Sequence, residues 1–345
     1  MLSIGGAIGS NQDDLRTCAQ RAQAAEAAGL DFISYGDTQV IYRDCYAVLG
    51  ACALATERVQ LGPMVTNPLT RHPVVTANAM ATIDEASGGR AFMAIGVGAS
   101  STANAAMARA KPKELAAAIQ LFRAAFRDAP GQDGTLPHDP DVISIKWAKR
   151  KVPVVVHASG PLGFAVAADH GDALLVRLGD ADEAELPKIL ADVRARHADG
   201  PRAGLPFQVW VYAPTALGPE AADRTGLLGV ISARAMTLKT ERCPPEYAAA
   251  HAEYTRAYDY KYHASTTEPR NVELLDRLGL TQYMNDRFSL SGDEARLVER
   301  LSALERAGAD RILLQALGPD GRPILADKLG SLAKRYRKTA QAAIA

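Results

Sequence analysis

Apolar positions along the chain follow two rhythms. Short unbroken runs alternate with longer stretches in which apolar residues return every third or fourth position. That pattern belongs to strands buried on both faces and set between helices. One unit recurs: a helical stretch, a glycine, an acidic residue, then an apolar run. It reads Ala24-Ala25-Glu26-Ala27-Ala28-Gly29-Leu30-Asp31-Phe32-Ile33 near the start and Leu304-Glu305-Arg306-Ala307-Gly308-Ala309-Asp310-Arg311-Ile312-Leu313-Leu314 near the end. A shorter copy is Ala167-Ala168-Asp169-His170-Gly171-Asp172-Ala173-Leu174-Leu175-Val176. In each copy the glycine is free to take the left-handed conformation that ends a helix.

The alternation continues between these copies. Asn11, ahead of Gln12-Asp13-Asp14, reads as the N-cap of a first helix. Residues 44–56 read as a helix, and Val59-Gln60-Leu61-Gly62 opens a strand. Pro73 suits a first helical turn, and that helix runs to Gly88-Gly89. Ala91–Gly96 is a strand, 112–128 a helix and 129–141 a loop. Val152–Val156 and Phe207–Tyr212 are strands, and Ser291-Gly292-Asp293-Glu294 reads as a capping box opening a helix. Strand starts near residues 2, 31, 58, 90, 152, 172, 206 and 310 give the eight that a (β/α)8 TIM barrel requires. A doubly wound open sheet is the alternative, but no early G-x-G-x-x-G opens a helix. The expectation is one α/β domain over 1–345. Residues 214–290 are too long for one barrel helix and read as a helical insertion between strands seven and eight, carrying Tyr247, His251, Tyr254, Tyr258, Tyr260, Tyr262 and His263.

Composition changes this picture little. Hydrophobic residues make up 48% and charged residues 23%, an ordinary globular balance. Lys+Arg and Asp+Glu are both 39, so the chain lacks the basic surplus that nucleic-acid binding requires. No window is long and apolar enough for a membrane span, and the first residues do not read as a signal peptide. Cys18, Cys45, Cys52 and Cys243 form no C-x-x-C pair, so reduced, buried thiols in a cytoplasmic protein and no metal site are expected.

Barrel chemistry sits at the C-terminal ends of the strands. Four segments fall there: Gly36-Asp37-Thr38-Gln39, Thr66-Asn67-Pro68, Gly98-Ala99-Ser100-Ser101 and His157-Ala158-Ser159-Gly160. Two of them are glycine- and hydroxyl-rich turns able to offer backbone N–H groups to an anion, and equally able to do no more than close a loop.

The residues around them carry a resemblance. Leu61-Gly62-Pro63-Met64-Val65-Thr66-Asn67-Pro68 is followed by Arg71-His72-Pro73, Thr76-Ala77, Ala81-Thr82-Ile83-Asp84-Glu85 and Ser87-Gly88-Gly89-Arg90, ending in Ala94-Ile95-Gly96 and Gly98. Gly36-Asp37-Thr38-Gln39, Arg43-Asp44, Tyr46, Pro153 and Ala158-Ser159-Gly160-Pro161 extend the series. It resembles the bacterial luciferase-like superfamily, most of all its branch containing the coenzyme F420-dependent methylenetetrahydromethanopterin reductases. The close match spans 31–98, and a looser one nearly the whole chain.

That resemblance implies a TIM barrel holding a deazaflavin or flavin in its mouth, with a non-proline cis peptide at Met64–Val65 supporting the ring. It places Asp37 beside the ring, Thr66 and Asn67 along its polar edge, and Gly98, Ser100, Ala158, Ser159 and Gly160 at its ribityl and phosphate groups. Two positions depart from the relatives' pattern. Ala99 stands where they commonly carry an acid, and His157 where they often carry alanine. Asp37 is the first candidate for proton handling, with His157 and His263 next; His157 also reads as a core histidine. The implied reaction is hydride transfer between reduced F420 and a small organic substrate with a polarised double bond. The alternatives are an FMN-dependent monooxygenase served by a partner flavin reductase, and a non-catalytic flavin-binding barrel. A homodimer or higher homo-oligomer is expected. His72 and Arg43-Asp44 read as helix-start residues, the aromatic stripe at 247–263 as helix packing, and the acidic run at 180–185 as a solvated helix start.

Overall fold

The computed structural model describes residues 1–9, 13–127, 143–180, 184–218, 221–262, 268–316 and 328–344. The chain alternates strand and helix through β1 (Ser3–Ala7), α1 (Leu15–Ala27), β2 (Phe32–Tyr35), α2 (Cys45–Ala55), β3 (Gln60–Pro63), α3 (Pro73–Ser87) and β4 (Met93–Ile95). It continues through α4 (Ser100–Asn104), α5 (Pro112–Ala125), β5 (Val154–His157), α6 (Pro161–His170), β6 (Ala173–Arg177), α7 (Leu186–Asp199) and β7 (Gln208–Leu217). Four helices follow: α8 (Ala221–Thr237), α9 (Pro245–Ala257), α10 (Arg270–Arg277) and α11 (Thr281–Phe288). Then come β8 (Leu290–Gly292), α12 (Glu294–Arg306), β9 (Arg311–Ala316) and α13 (Lys328–Ile344).

Parallel ladders run in the order β3-β2-β1-β9-β7-β6-β5-β4. Two isolated parallel bridges, Leu61 to Ala91 and Thr66 to Ile95, bring β3 and β4 together. Eight parallel strands thus circle into a (β/α)8 barrel. β8 lies outside this ring and pairs only with the end of β7.

Side-chain alternation fills the barrel. Phe32, Phe92, Ala94, Val155, Leu175, Trp210 and Leu313 form its interior cluster. Phe32 and Phe92 each pack against Trp210 at a centroid distance of 5.0 Å. These rings need space on β3: a Cβ at Gly62 would lie 2.6 Å from the Phe92 ring. The opposite strand faces pack under the outer helices in the main core. All four cysteines are free and buried there or under α8–α11.

Helix ends follow local chemistry. α3 starts at Pro73 with His72 as N-cap and stops at Gly88, whose φ is +71°. Two expected starts move. α1 begins at Leu15 because the Asp14 carboxylate caps it, accepting from the Thr17 N–H at 2.7 Å; Asn11 lies outside the described residues. α12 is capped by Asp293, not Ser291. Ser291 belongs to β8, and its hydroxyl receives the Asn285 amide at 2.6 Å.

β7 runs through position 214 to Leu217, so the helical segment starts later than the sequence pattern placed it. α8–α11 pack on a second core around Leu227, Ile231, Tyr254, Leu275, Met284 and Phe288. Among the described residues, no helix is long and apolar enough to cross a membrane.

Candidate active site

The loops after β2, β3 and β4 form one connected wall at the C-terminal end of the barrel. Asp37, two residues past β2, is 7% exposed. The Thr66 hydroxyl donates to its Oδ2 at 2.6 Å, and Gln39 Nε2 donates to its Oδ1 at 2.7 Å. The Tyr46 hydroxyl lies 3.0 Å from the Thr66 oxygen. Since Thr66 spends its single proton on Asp37, Tyr46 is the donor in that contact. A chain of hydroxyls therefore runs from α2 to the carboxylate.

Tyr46 is fixed in turn by the start of α2. Asp44 caps that helix, accepting from the N–H groups of Tyr46 and Ala47 at 3.0 and 2.9 Å. Its other oxygen pairs with Arg71 at 3.0 Å, and the Arg71 guanidinium covers the Tyr46 ring at 4.4 Å. Asp44 thus serves both as the expected helix-start residue and as the anchor of a cross-loop pair with Arg71. Burial pushes the Asp37 carboxyl above the usual carboxylate range; Asp44 adds to the rise, while Thr66, Arg71 and Gln39 oppose it.

Beneath this network the Met64–Val65 peptide is cis. Both side chains pack partly buried against the barrel interior. Thr66 then returns to strand pairing, its N–H on the Ala94 carbonyl and its carbonyl on the Gly96 N–H at 2.9 and 3.0 Å. Asn67 is 1% exposed, and its amide is wholly committed to the wall. It accepts from Leu69 and Thr70 N–H and donates to the Thr70 and Ser101 hydroxyls. Gly98, with φ +82°, turns the chain toward α4, where Ser100 Oγ meets Thr38 Oγ1 at 3.2 Å. A Cβ at Gly98 would lie 2.5 Å from the Thr102 methyl.

The wall beyond β5 differs in character. Ala158 is buried, Ser159 is exposed, and Gly160 caps α6 with nothing within 4 Å of a Cβ position. His157 lies half-buried beside Gly96, its Nε2 buried without a hydrogen-bond partner. Burial, with Arg177 and Arg234 adding, pushes its pKa down to about 3, so the ring is neutral in ordinary conditions. Arg177 Nε pairs with Asp180 Oδ2 at 3.0 Å, and Arg234 Nη2 with Asp180 Oδ1 at 2.9 Å. The acidic run therefore begins with a half-buried bridging carboxylate rather than a solvated one. Tyr212 and Gln315 are hydrogen-bonded to each other.

The sequence candidates thus divide. Asp37, Thr66, Asn67, Gly98 and Ser100 stand in one hydrogen-bonded wall above Met64 and Val65. Ala158, Ser159 and Gly160 form the adjoining turn, and His157 faces the mouth from β5. His263 and the side chain of Tyr260 lie outside what is described. The aromatic stripe packs helices: Tyr254 is fully buried, and Tyr247 stacks on Tyr283 at 4.4 Å. Sequence reasoning missed the roles of Gln39, Tyr46, Arg71, Arg177 and Arg234. Gln39, Tyr46 and Arg71 stood in the resembling stretches without a role assigned, and Arg177 left a periodic signal: it follows Ala173 and Leu175 at the strand period and so shares their inward face.

Comparison with known proteins agrees with this architecture. The chain is 26% identical, over 86% of its length and 88% of the relative's, to the 5,10-methylenetetrahydromethanopterin reductase of Archaeoglobus fulgidus. It is 25% identical, over 98% of both chains, to the F420-dependent glucose-6-phosphate dehydrogenase of Gordonia bronchialis. Its fold matches that of the coenzyme F420-dependent tetrahydromethanopterin reductase of Methanopyrus kandleri, with TM-score 0.68 and 20% identity over 93% of this chain and 95% of that one. The luciferase-like monooxygenase family matches residues 2–311, and the chain belongs to that family.

Proposed function

We propose that this protein is an oxidoreductase that transfers a hydride between coenzyme F420 and a small organic substrate with a polarised double bond. The carrying observation is the buried, hydrogen-bonded Asp37 at the mouth of the barrel, in a chain related along nearly its whole length to an F420-dependent glucose-6-phosphate dehydrogenase and sharing the fold of a coenzyme F420-dependent reductase. The residues present fit such a group. Gly96 and Gly98 carry no side chain of their own at the strand end, and the space at Gly160 is open. Met64, Val65, Gly98 and Ser100 would hold the ring and its chain, and Ala158, Ser159 and Gly160 the phosphate end, where the first N–H groups of α6 have no side-chain cap.

Deazaflavin supplies hydride transfer at a carbon centre that reacts poorly with oxygen. The protein's share is to exclude water, fix one face of the site and handle a proton. Asp37 is placed for the last task. Its raised pKa moves it toward the range in which a carboxyl both gives and takes protons. His157 is the weaker candidate, because its ring stays neutral well below neutral pH.

The test is a pair of fluorescence titrations of the purified protein, one with F420 and one with FMN. Saturable F420 binding with little or no FMN binding is expected. FMN binding without F420 binding would transfer the reading to a two-component monooxygenase.

A further inference from the structure

Four neighbouring barrel strands carry polar inward side chains toward their C-terminal ends. Val155, Leu175, Trp210 and Leu313 belong to the interior cluster. His157, Arg177, Tyr212 and Gln315 follow each of them by one strand period, on the same face and nearer the mouth. Arg177 and Tyr212 are direct register partners. This half of the rim lies opposite the Asp37 wall in strand order.

The charges here do not balance. Among the described residues at this rim, Asp180 bridges two guanidinium groups, with an oxygen on each. Arg234 is 6% exposed, and its Nε and Nη1 are buried with no hydrogen-bond partner. Arg177 engages only its Nε, on Asp180. Its side chain is 32% exposed, and its two terminal nitrogens bond no described residue. Among the described residues this partly buried cluster has two guanidinium groups to one carboxylate, and unused buried guanidinium donors are costly unless an anion completes them. The fork of an arginine matches carboxylate and phosphate oxygens in geometry as well as charge.

We propose that Arg177, backed by Arg234 and flanked by His157 and Tyr212, is the substrate's anion subsite, so that the substrate carries a carboxylate or phosphate group. This deepens the proposed function and rests on it for the identity of the occupant as substrate. Asp180 is a positioning residue: by holding Arg177 Nε it fixes the guanidinium plane and leaves the two terminal nitrogens for the anion. The polar rim of β5–β9 thereby grips the charged end of the substrate, leaving its reacting end to the Asp37 side.

The test uses inorganic phosphate and succinate as separate probes, titrated calorimetrically into protein with and without saturating F420. One of the two is expected to bind; phosphate marks a phosphorylated substrate and succinate a carboxylate one. R177Q should weaken that probe by about tenfold or more, and R177K should restore it only partly, since an ammonium lacks the fork. F420 affinity, followed by fluorescence, should be unchanged in R177Q, which also reports that the variant folds. Absence of probe binding in the wild type, or equal binding in R177Q, overturns the proposal. A parallel loss of F420 affinity also overturns it, assigning the fork to the cofactor. If F420 fails to bind the wild type while the R177-dependent anion site persists, the site stands and the cofactor reading falls.

Discussion

At the scale of single residues, Asp37 shows how environment sets chemistry. Burial raises its pKa, so the folded protein holds a proton there more tightly than the unfolded chain does. The sign follows from linkage. Stability is lost as pH rises from the unfolded value, about 3.9, through the raised folded value. At neutral pH the burial of this carboxyl is a standing penalty relative to the unfolded chain. Asn fits the same space: its carbonyl can accept from Thr66, and its NH2 can donate to the Gln39 amide oxygen after that amide turns over. Gln39 Oε1 is buried and without a partner in the wild type; the flip pairs it and leaves Nε2 in its place, so the hydrogen-bond count is unchanged and the removed charge decides the sign. D37N should therefore melt at least as high as wild type at pH 7, with the difference shrinking as pH falls, as read from thermal melts across pH. Turnover should fall by about 10²–10⁴-fold. A variant that is both fully active and less stable would remove Asp37 from proton handling.

Among the elements, the strands were legible because a parallel strand buried on both faces must be apolar without interruption. Phe32-Ile33, Val154-Val155-Val156 and Ile312-Leu313-Leu314 declare themselves that way. Helix starts were less legible where several acids or hydroxyls compete, as at Asn11 against Asp14 and Ser291 against Asp293. Which one caps depends on what else claims its oxygen. The Asp37 wall was legible because its residues lie in the stretches that carry the family resemblance, although Thr66 comes from 29 residues away. The Asp180 cluster was not, because Arg234 arrives from 54 residues away. The same kind of distant tie joins α1 to β3. Glu26, near the end of α1, accepts the N–H groups of Glu57, Arg58 and Val59 at 2.6 to 3.2 Å. Burial works against its charge, yet these bonds hold its pKa below the usual value. Its stabilisation is thus complete above the unfolded pKa, about 4.3, and disappears as pH falls through the lowered folded value. E26Q should cost about 1–3 kcal/mol near neutral pH. In denaturant titrations the gap from wild type should close in acid. A pH-independent gap would mean that packing, not the charged acceptor, is what Glu26 contributes.

Across the whole molecule, the barrel and the α8–α11 layer each have a core, and Arg234 reaches from one to the other. From α8 it donates to the Leu178 carbonyl at 3.0 Å and to Asp180 at 2.9 Å, just past β6. Its guanidinium also covers the Phe288 ring of α11 at 4.9 Å. Burial lowers its pKa to about 10, with Arg177 adding to the fall, so the tie is charged throughout the neutral range. Replacing it with methionine keeps an apolar contact for Phe288 but removes both hydrogen bonds. Asp180 keeps Arg177, and Leu178 loses its side-chain donor. The cost should be about 1–3 kcal/mol, less than for a buried pair left with no partner at all. Because stability is not uniform across a structure, the loss should be local. In native-state hydrogen exchange of R234M, amides of α8–α11 should exchange faster, while those of the β1–β2 and β9–β1 ladders keep their protection. The helices would then be a layer that opens independently over a barrel that stays closed, which is what access to a mouth on that side requires. Equal acceleration in all three regions would instead make barrel and helices one cooperative unit, with Arg234 as an ordinary part of its core.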